Sequence, residues 1–307
     1  MSVESVEQTS GPAKSRVSHA VSVVVPCYNE EGAIRETVMQ LNATLKAASS
    51  RYELIVVDDG SADGSADILE DLVRSVPRLR VLTHERNRGY GAALKTGIVA
   101  ARHDLIAITD ADGTYPNERL PELIAEAADA GMAVGARVEQ GVQYSKLRAI
   151  PKSFLRRWAS WLAGQSIPDI NSGLRVFHKQ IALRFLPILP DTFSFTTTIT
   201  LAMLRNYYEV RFVPIGYTAR IGKSKIRPFT DTLRFVMLLL RTGIYFAPLR
   251  LLSPAIGFLG LASLASLTFD VFILQNLTDK TVVLFLFTLN TGMLALLADM
   301  IDKRTGR

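Results

Sequence analysis

Two aspartates one residue apart, Asp110-Ala111-Asp112, follow the apolar run Leu105 to Thr109. At the end of a buried strand such a pair brings two carboxylates within reach of one divalent cation. Hard oxygen donors suit Mg²⁺ or Mn²⁺. An Asp-rich turn after a strand is common, so the pair gains weight only from its company. Asp58-Asp59-Gly60-Ser61 closes a second apolar run. Asn87-Arg88-Gly89-Tyr90-Gly91 precedes a helical stretch whose first amides could face an anion, although turn geometry alone accounts for these glycines. Basic residues cluster at Lys146, Arg148, Lys152, Arg156 and Arg157, and again at Arg220, Lys223, Lys225 and Arg227. Such clusters suit phosphorylated ligands or anionic headgroups. Nucleic acid is the rival reading, disfavoured because no RNA- or DNA-binding module is recognisable.

The elements that must position these groups follow from periodicity. Val21–Val25, Leu54–Val57, Leu79–Leu82, Leu105–Thr109 and Met132–Val134 are short apolar runs, read as buried strands. Between them, Glu30–Ala48, Asp63–Val73, Gly91–Ala101 and Pro116–Ala130 have helical spacing. This alternation predicts an α/β domain with a mostly parallel sheet covered by helices on both faces. Such sheets bind ligands at the carboxyl ends of their strands. Pro26-Cys27-Tyr28-Asn29, Asp58-Asp59 and Asp110-Ala111-Asp112 all fall there. Further on, Phe154–Leu162 and Thr198–Asn206 read as short helices and Val176-Phe177 as a strand. Thr230–Phe246 mixes leucines with Arg234 and Arg241, as a helix lying in a membrane interface does.

Two apolar runs close the chain, Leu251–Leu274 and Thr281–Ile301, each near the roughly 20 residues that cross a bilayer as a helix. The mean hydropathy of +0.19 therefore averages a polar body, up to about residue 229, with a greasy tail. The net charge is +6. Arg234, Arg241 and Arg250 precede the first run and Lys303, Arg304 and Arg307 follow the second. In the short connection Lys280 is offset by Asp279, so the positive-inside rule puts both ends in the cytoplasm. The first twenty residues lack an apolar core and read as a flexible tail, not a signal peptide. The single cysteine, Cys27, excludes an internal disulfide and any multi-cysteine zinc site. It reads as a small buried residue at a strand end.

Taken together, Val25-Pro26-Cys27-Tyr28-Asn29-Glu30, Val57-Asp58-Asp59-Gly60-Ser61, Asp110-Ala111-Asp112-Gly113, Ser172-Gly173-Leu174-Arg175 and Gly222-Lys223-Ser224-Lys225 resemble family-2 glycosyltransferases of the GT-A fold. More narrowly, they resemble the polyprenyl-phosphate group that contains dolichol-phosphate mannose synthase. The resemblance implies a Rossmann-like GT-A catalytic domain over 21–229, an interfacial helix over 230–248 and a transmembrane hairpin with a short cytoplasmic tail over 249–307. It implies a multi-pass membrane protein with its catalytic domain on the cytoplasmic face. Some relatives assemble through their membrane helices, so a homo-oligomer is a further expectation.

The implied activity is inverting transfer of a sugar from a UDP- or GDP-linked donor to a polyprenyl phosphate of undecaprenyl or dolichyl type, with Mg²⁺ or Mn²⁺. By resemblance, Pro26, Tyr28, Glu30 and Val57 would line the nucleotide pocket and Asp59 would hydrogen-bond the base. Asp110, Ala111 and Asp112 would bind the diphosphate, the two aspartates through the metal. Thr114 stands where many members place a further ligand, Gln. Arg137 and Arg148 would grip the acceptor phosphate with Lys152 or Ser153 beside them, Arg137 counting with Asp110 and Asp112 as catalytic. Arg220 and Lys225 would close over the donor phosphates. A phosphate acceptor is already largely dianionic at neutral pH, its second pKa lying near ~6, and needs no general base; a hydroxyl acceptor does. The stretch from Thr192 to Tyr208 holds no Asp or Glu, which suits the phosphate. Asp169 and Asp191 stay open as bases for a lipid hydroxyl acceptor, and a catalytically inactive membrane-tethered nucleotide-sugar binder is the reading of another class.

Overall fold

The computed structural model describes residues 19–48, 51–138, 157–216, 236–237, 240–241, 243–245 and 247–305. The expected ligands Arg148, Lys152, Ser153, Arg220 and Lys225 lie outside the described residues, as do the N-terminal tail and most of 230–246.

The order along the chain is β1 (Val21–Cys27), α1 (Ile34–Ala47), β2 (Tyr52–Asp58), α2 (Ser65–Ser75), β3 (Leu79–Thr83), α3 (Tyr90–Ala100), β4 (Leu105–Ile108), α4 (Leu120–Ala128) and β5 (Met132–Arg137). A helical segment at 157–163 follows. Then come β6 (Arg175–His178), α5 (Lys179–Phe185), α6 (Phe195–Arg205), β7 (Val210–Ile215), α7 (Pro248–Phe269) and α8 (Asp279–Thr305).

The seven strands form one sheet in the order β3-β2-β1-β4-β6-β5-β7. β1 pairs in parallel with β2 and β4, β2 with β3, and β5 with β7. Only β6 runs the other way, antiparallel to both β4 and β5. All seven residues of β1 and of β2 are buried, because side chains alternate between two covered faces. Val23 and Val25 join one core with Ile34, Val38, Leu41 and Leu45 of α1, Leu69 and Leu72 of α2, and Leu120, Leu123 and Ile124 of α4. Val24 and Ile55 join the opposite core with Leu94 and Ile98 of α3, Phe185 of α5, and Phe195 and Ile199 of α6. Each fully buried aliphatic side chain contributes roughly 1.5–3 kcal/mol. These two layers hold the strand ends, and the groups on them, in fixed register.

Helix α1 begins four residues later than the periodicity suggests. Glu30 opens a turn, its carbonyl accepting from the amides of Ala33 and Ile34 at 3.1 and 3.0 Å. Side chains from the β2–α2 loop and the first residue of α2 hold this turn. Ser61 Oγ accepts from the Asn29 amide and Ser65 Oγ from the Glu30 amide, each at 3.0 Å. The strand ends are thus tied to one another by polar side chains that hydrophobic spacing cannot reveal. Cys27 is buried at the end of β1. Burial, with Asp58 nearby, pushes its thiol up to about 12, so it stays neutral.

Helices α7 and α8 pack as an antiparallel pair. The candidate spans, Pro248–Leu274 and Asp279–Ile301, are long and apolar enough to cross a membrane, and little of either is buried inside the molecule. A π-helical turn at Asp270–Leu274 ends the first. Asp270 is buried there, its Oδ2 accepting from the amide and hydroxyl of Thr278 at 2.8 and 2.6 Å. The acid turns into the hairpin and closes it. The hydroxyls of Ser266 and Thr281 meet across the two helices at 2.5 Å.

Candidate functional site

Three loops converge at the carboxyl rim of the sheet, after β1, β2 and β4, as the pattern of buried strands predicts. The β4 loop carries the paired aspartates, both half-buried. The carbonyl of Ala111, between them, accepts from Thr37 Oγ1 of α1 at 3.0 Å, which fixes the turn from below. Asp112 Oδ1 accepts from the Thr114 hydroxyl at 2.7 Å and the Thr114 amide at 3.2 Å. Thr114 is itself buried, and its hydroxyl is engaged in orienting Asp112. Asp110 Oδ1 accepts from the Tyr90 hydroxyl at 2.9 Å. Burial, and then the charge of Asp110, hold the Tyr90 phenol well above its ordinary pKa, so it stays a donor.

The loop entering β6 presses against this pair. A Cβ on Gly173 would lie 2.8 Å from both carboxylate oxygens of Asp110, so glycine is required for the approach. The Gly173 amide donates to the Tyr115 hydroxyl at 2.6 Å. Arg175, fully buried, anchors the loop: its guanidinium donates to the Ser172 carbonyl through Nε and Nη2, to the Thr196 carbonyl at 3.0 Å and to Thr200 Oγ1 at 2.9 Å. Burial lowers its pKa to about 10, so it is still cationic at neutral pH. Two half-buried carboxylates, with the backbone of the β6 loop drawn in against Asp110, are a donor set that would fit a hard divalent cation whose other ligands come from a phosphate.

Arg137 ends β5 on the same rim. Its Nε and Nη2 donate to the two oxygens of Asp169 at 2.6 and 2.9 Å, and its amide donates to Asp169 Oδ2 at 3.2 Å. Burial raises the Asp169 pKa, but the hydrogen bonds and charge of Arg137 outweigh it and hold the carboxyl below its ordinary range. Asp169 is therefore an ionised partner and a poor base. The other acid weighed as a base, Asp191, is paired with Lys95 at 2.7 Å.

The β2 loop places Asp59 beneath the start of α3. Its Oδ1 meets His84 Nδ1 at 2.6 Å and the Arg88 amide at 2.9 Å; its Oδ2 accepts from the Gly89 amide at 2.8 Å. His84 Nε2 continues to Thr96 Oγ1 at 2.9 Å. Asp59, itself buried, thus braces the loop that leads into α3, and Tyr28 on the loop after β1 is 39 % exposed. The anion-cradle reading of Asn87 to Gly91 gives way to turn geometry. The amides of Gly91 and Ala92 donate to the Asp191 carbonyl at 2.9 and 3.3 Å, so α3 caps onto its own chain. Gly89, at φ +102°, makes room for that carbonyl.

The rim thus gathers Pro26, Tyr28, Glu30, Val57, Asp59, Asp110, Ala111, Asp112 and Thr114 on the adjacent strands β2, β1 and β4 or the loops that follow them, with Arg137 two strands further along. Tyr90, Tyr115 and Gly173 serve the same pair; Tyr90 lies in the Asn87–Gly91 stretch and Gly173 in the Ser172–Arg175 motif, but neither pattern shows the tie to Asp110, and Tyr115 belongs to no motif. Tyr90 follows a helix-starting glycine, which is a weak signal, and the approach of Gly173 to Asp110 depends on the antiparallel insertion of β6.

The description "Glycosyl transferase family 2" fits residues 22–183 of the chain. Undecaprenyl-phosphate 4-deoxy-4-formamido-L-arabinose transferase of Pseudomonas fluorescens (strain Pf0-1) is 33 % identical over 82 % of this chain and 73 % of its own length. The protein of that name from Enterobacter sp. (strain 638) is 31 % identical over 78 % of this chain and 72 % of its own. Among solved structures, glucosyl-3-phosphoglycerate synthase of Mycobacterium tuberculosis in complex with UDP aligns with a TM-score of 0.59 at 18 % identity, over 77 % of this chain and 86 % of that one. The same enzyme with Mn²⁺, UDP and glucosyl-3-phosphoglycerate gives 0.56 at 18 % identity over the same shares. At such identity the likeness is one of fold, and that fold is GT-A.

Proposed function

This chain belongs to glycosyl transferase family 2, and from that premise we propose that it transfers a sugar from a nucleotide-sugar to the phosphate of a polyprenyl phosphate. The curated relatives support the acceptor class, being named for undecaprenyl phosphate. The observation that carries it in this chain is the Arg137–Asp169 pair. Asp169 aims a guanidinium at the rim and is spent in doing so, while Lys95 occupies Asp191. An acceptor that brings its own negative charge suits this arrangement better than a hydroxyl awaiting deprotonation.

In this reading Asp110 and Asp112 hold Mg²⁺ or Mn²⁺, which when bound neutralises charge on the leaving diphosphate. Thr114 fixes Asp112 and Tyr90 fixes Asp110, so both carboxylates are oriented before the donor arrives. Pro26, Tyr28, Glu30, Val57 and Ala111 line the nucleotide side, with Asp59 bracing it. Arg137 takes the acceptor phosphate, joined by Arg148, Lys152 and Ser153 of the basic segment; Arg220 and Lys225 serve the donor phosphates. A phosphate oxygen forms the new bond to the sugar C1. The bond from C1 to the nucleoside diphosphate breaks on the opposite face, its electron pair leaving with the diphosphate, so the anomeric centre inverts. The apolar hairpin holds the rim where a long-chain lipid phosphate can reach it, with both chain ends on the cytoplasmic side.

The test is a matrix of UDP-glucose, UDP-N-acetylglucosamine and GDP-mannose against undecaprenyl phosphate, with Mn²⁺ and with chelator. Sugar entering the lipid fraction, lost on chelation and restored by Mn²⁺ or Mg²⁺, supports the proposal. Release of nucleoside diphosphate only when a lipid hydroxyl is supplied contradicts it, as does binding of the nucleotide-sugars without turnover.

A further inference from the structure

We propose that Phe193 is the platform on which the donor's sugar ring stacks, a contact that rests on the transferase reading above. Phe193 is 81 % exposed, yet its ring has a partner. Its inner face stacks on Tyr90, with centroids 5.2 Å apart and planes 21° from parallel. The loop that carries it is pinned by the Asp191 carbonyl at the first amides of α3 and by the Asp191–Lys95 ion pair at 2.7 Å. Fixing one face of an aromatic ring while the other is left to solvent suits a group that waits for a ligand.

The ligand follows from the neighbours. Tyr90, beneath Phe193, donates its hydroxyl to Asp110 at 2.9 Å, so the exposed ring stands about one tyrosine away from the carboxylate assigned to the donor diphosphate. A hexose joined to that diphosphate presents a face of C–H groups, which packs on aromatic rings. The first isoprene unit of the acceptor is the competing occupant. Its phosphate is assigned to Arg137 on β5, however, which is separated from β4 and Asp110 by β6. The stacked pair belongs to the Asp110 side.

The experiment titrates the full-length protein and its F193A and F193Y variants, in Mn²⁺, with UDP-glucose, GDP-mannose, UDP and GDP, and measures KM for undecaprenyl phosphate. F193A is expected to bind the nucleotide-sugar roughly 3- to 10-fold more weakly, the size of one aromatic stacking contact. It should bind the bare nucleoside diphosphate as the wild type does, and F193Y should retain wild-type affinity for both. Equal weakening of both ligands, no weakening of either, or a change confined to the lipid KM overturns the proposal. Failure of the wild type to bind any of the four nucleotides would instead overturn the transferase reading, and the platform with it.

Discussion

At the scale of single residues, the account rests on two carboxylates and one guanidinium with separable duties. Asp112→Ala removes the carboxylate that the proposal assigns to the metal, the group that Thr114 orients. Turnover should fall roughly 10²–10⁴-fold, the range for a few kcal/mol of lost charge stabilisation; a near-wild-type rate would exclude the role. Arg137→Ala should raise KM for the lipid phosphate while leaving nucleoside diphosphate affinity unchanged. Loss of nucleotide binding alone would mean that the two pockets are exchanged. Asp169→Asn discriminates between positioning and base catalysis. Asp169 is ionised across the neutral range because Arg137 lowers its pKa. As a positioning residue, its amide variant should act chiefly on lipid KM and leave the shape of the pH–rate profile unchanged. A base would lose kcat and the acidic limb of that profile together. Of these residues Arg137 is singled out only through the family resemblance, while Asp110 and Asp112 are legible in the sequence as chemistry-bearing groups. Their fixed orientations are not, because Tyr90, Thr37 and Gly173 act on them from 20, 74 and 63 positions away along the chain.

At the scale of elements, strands with both faces buried are the easiest to read. Each of the five apolar runs of the first half became a strand, and the alternation with helices fixed the parallel layout. The element that positions the β6 loop was less visible. Val176-Phe177 marks a strand, but nothing in its four residues tells that it inserts antiparallel between β4 and β5. Strand β7 and helix α5 were likewise unmarked, the first interrupted by Pro214 and the second only seven residues long. Inter-element polar ties were missed for the same reason. Glu53 in β2 is one of them: buried, it accepts from Ser22 Oγ of β1 at 2.7 Å, from Arg80 of β3 at 2.8 Å and from the Arg102 amide before β4 at 2.6 Å. Burial raises its pKa, but these donors prevail and hold it below the ordinary value. A carboxyl with a lowered native pKa contributes stability that is present above its unfolded pKa and lost as pH falls through the native one. Glu53→Gln should therefore cost about 1–3 kcal/mol at pH 7, lowering the melting temperature by several degrees. The gap from wild type should close as pH drops through the carboxylate range. A gap that is constant with pH would show that the charge contributes nothing.

At the scale of the whole molecule, a polar catalytic layer and an apolar hairpin are joined in one chain of net charge +6. Length and hydropathy made the hairpin legible, because a run that crosses a bilayer has to be long and nearly free of charge. Its closing device was not, since nothing in the sequence tells that Asp270, inside the first apolar run, turns onto Thr278. The orientation prediction belongs here. Asn276→Cys, placed in the turn between α7 and α8, should react with a membrane-impermeant maleimide only from the face opposite the catalytic domain; Cys27 is buried and silent. Labelling from the catalytic side would invert the topology.

The central claim, that the acceptor supplies its own negative charge to a site whose acids are already committed, is tested most directly by comparing two lipids that differ in one group. With a nucleotide-sugar that the enzyme turns over, undecaprenyl phosphate should become glycosylated and free undecaprenol should not, across a pH range that spans the second phosphate pKa near ~6. Transfer to the free alcohol at a comparable rate would contradict the account.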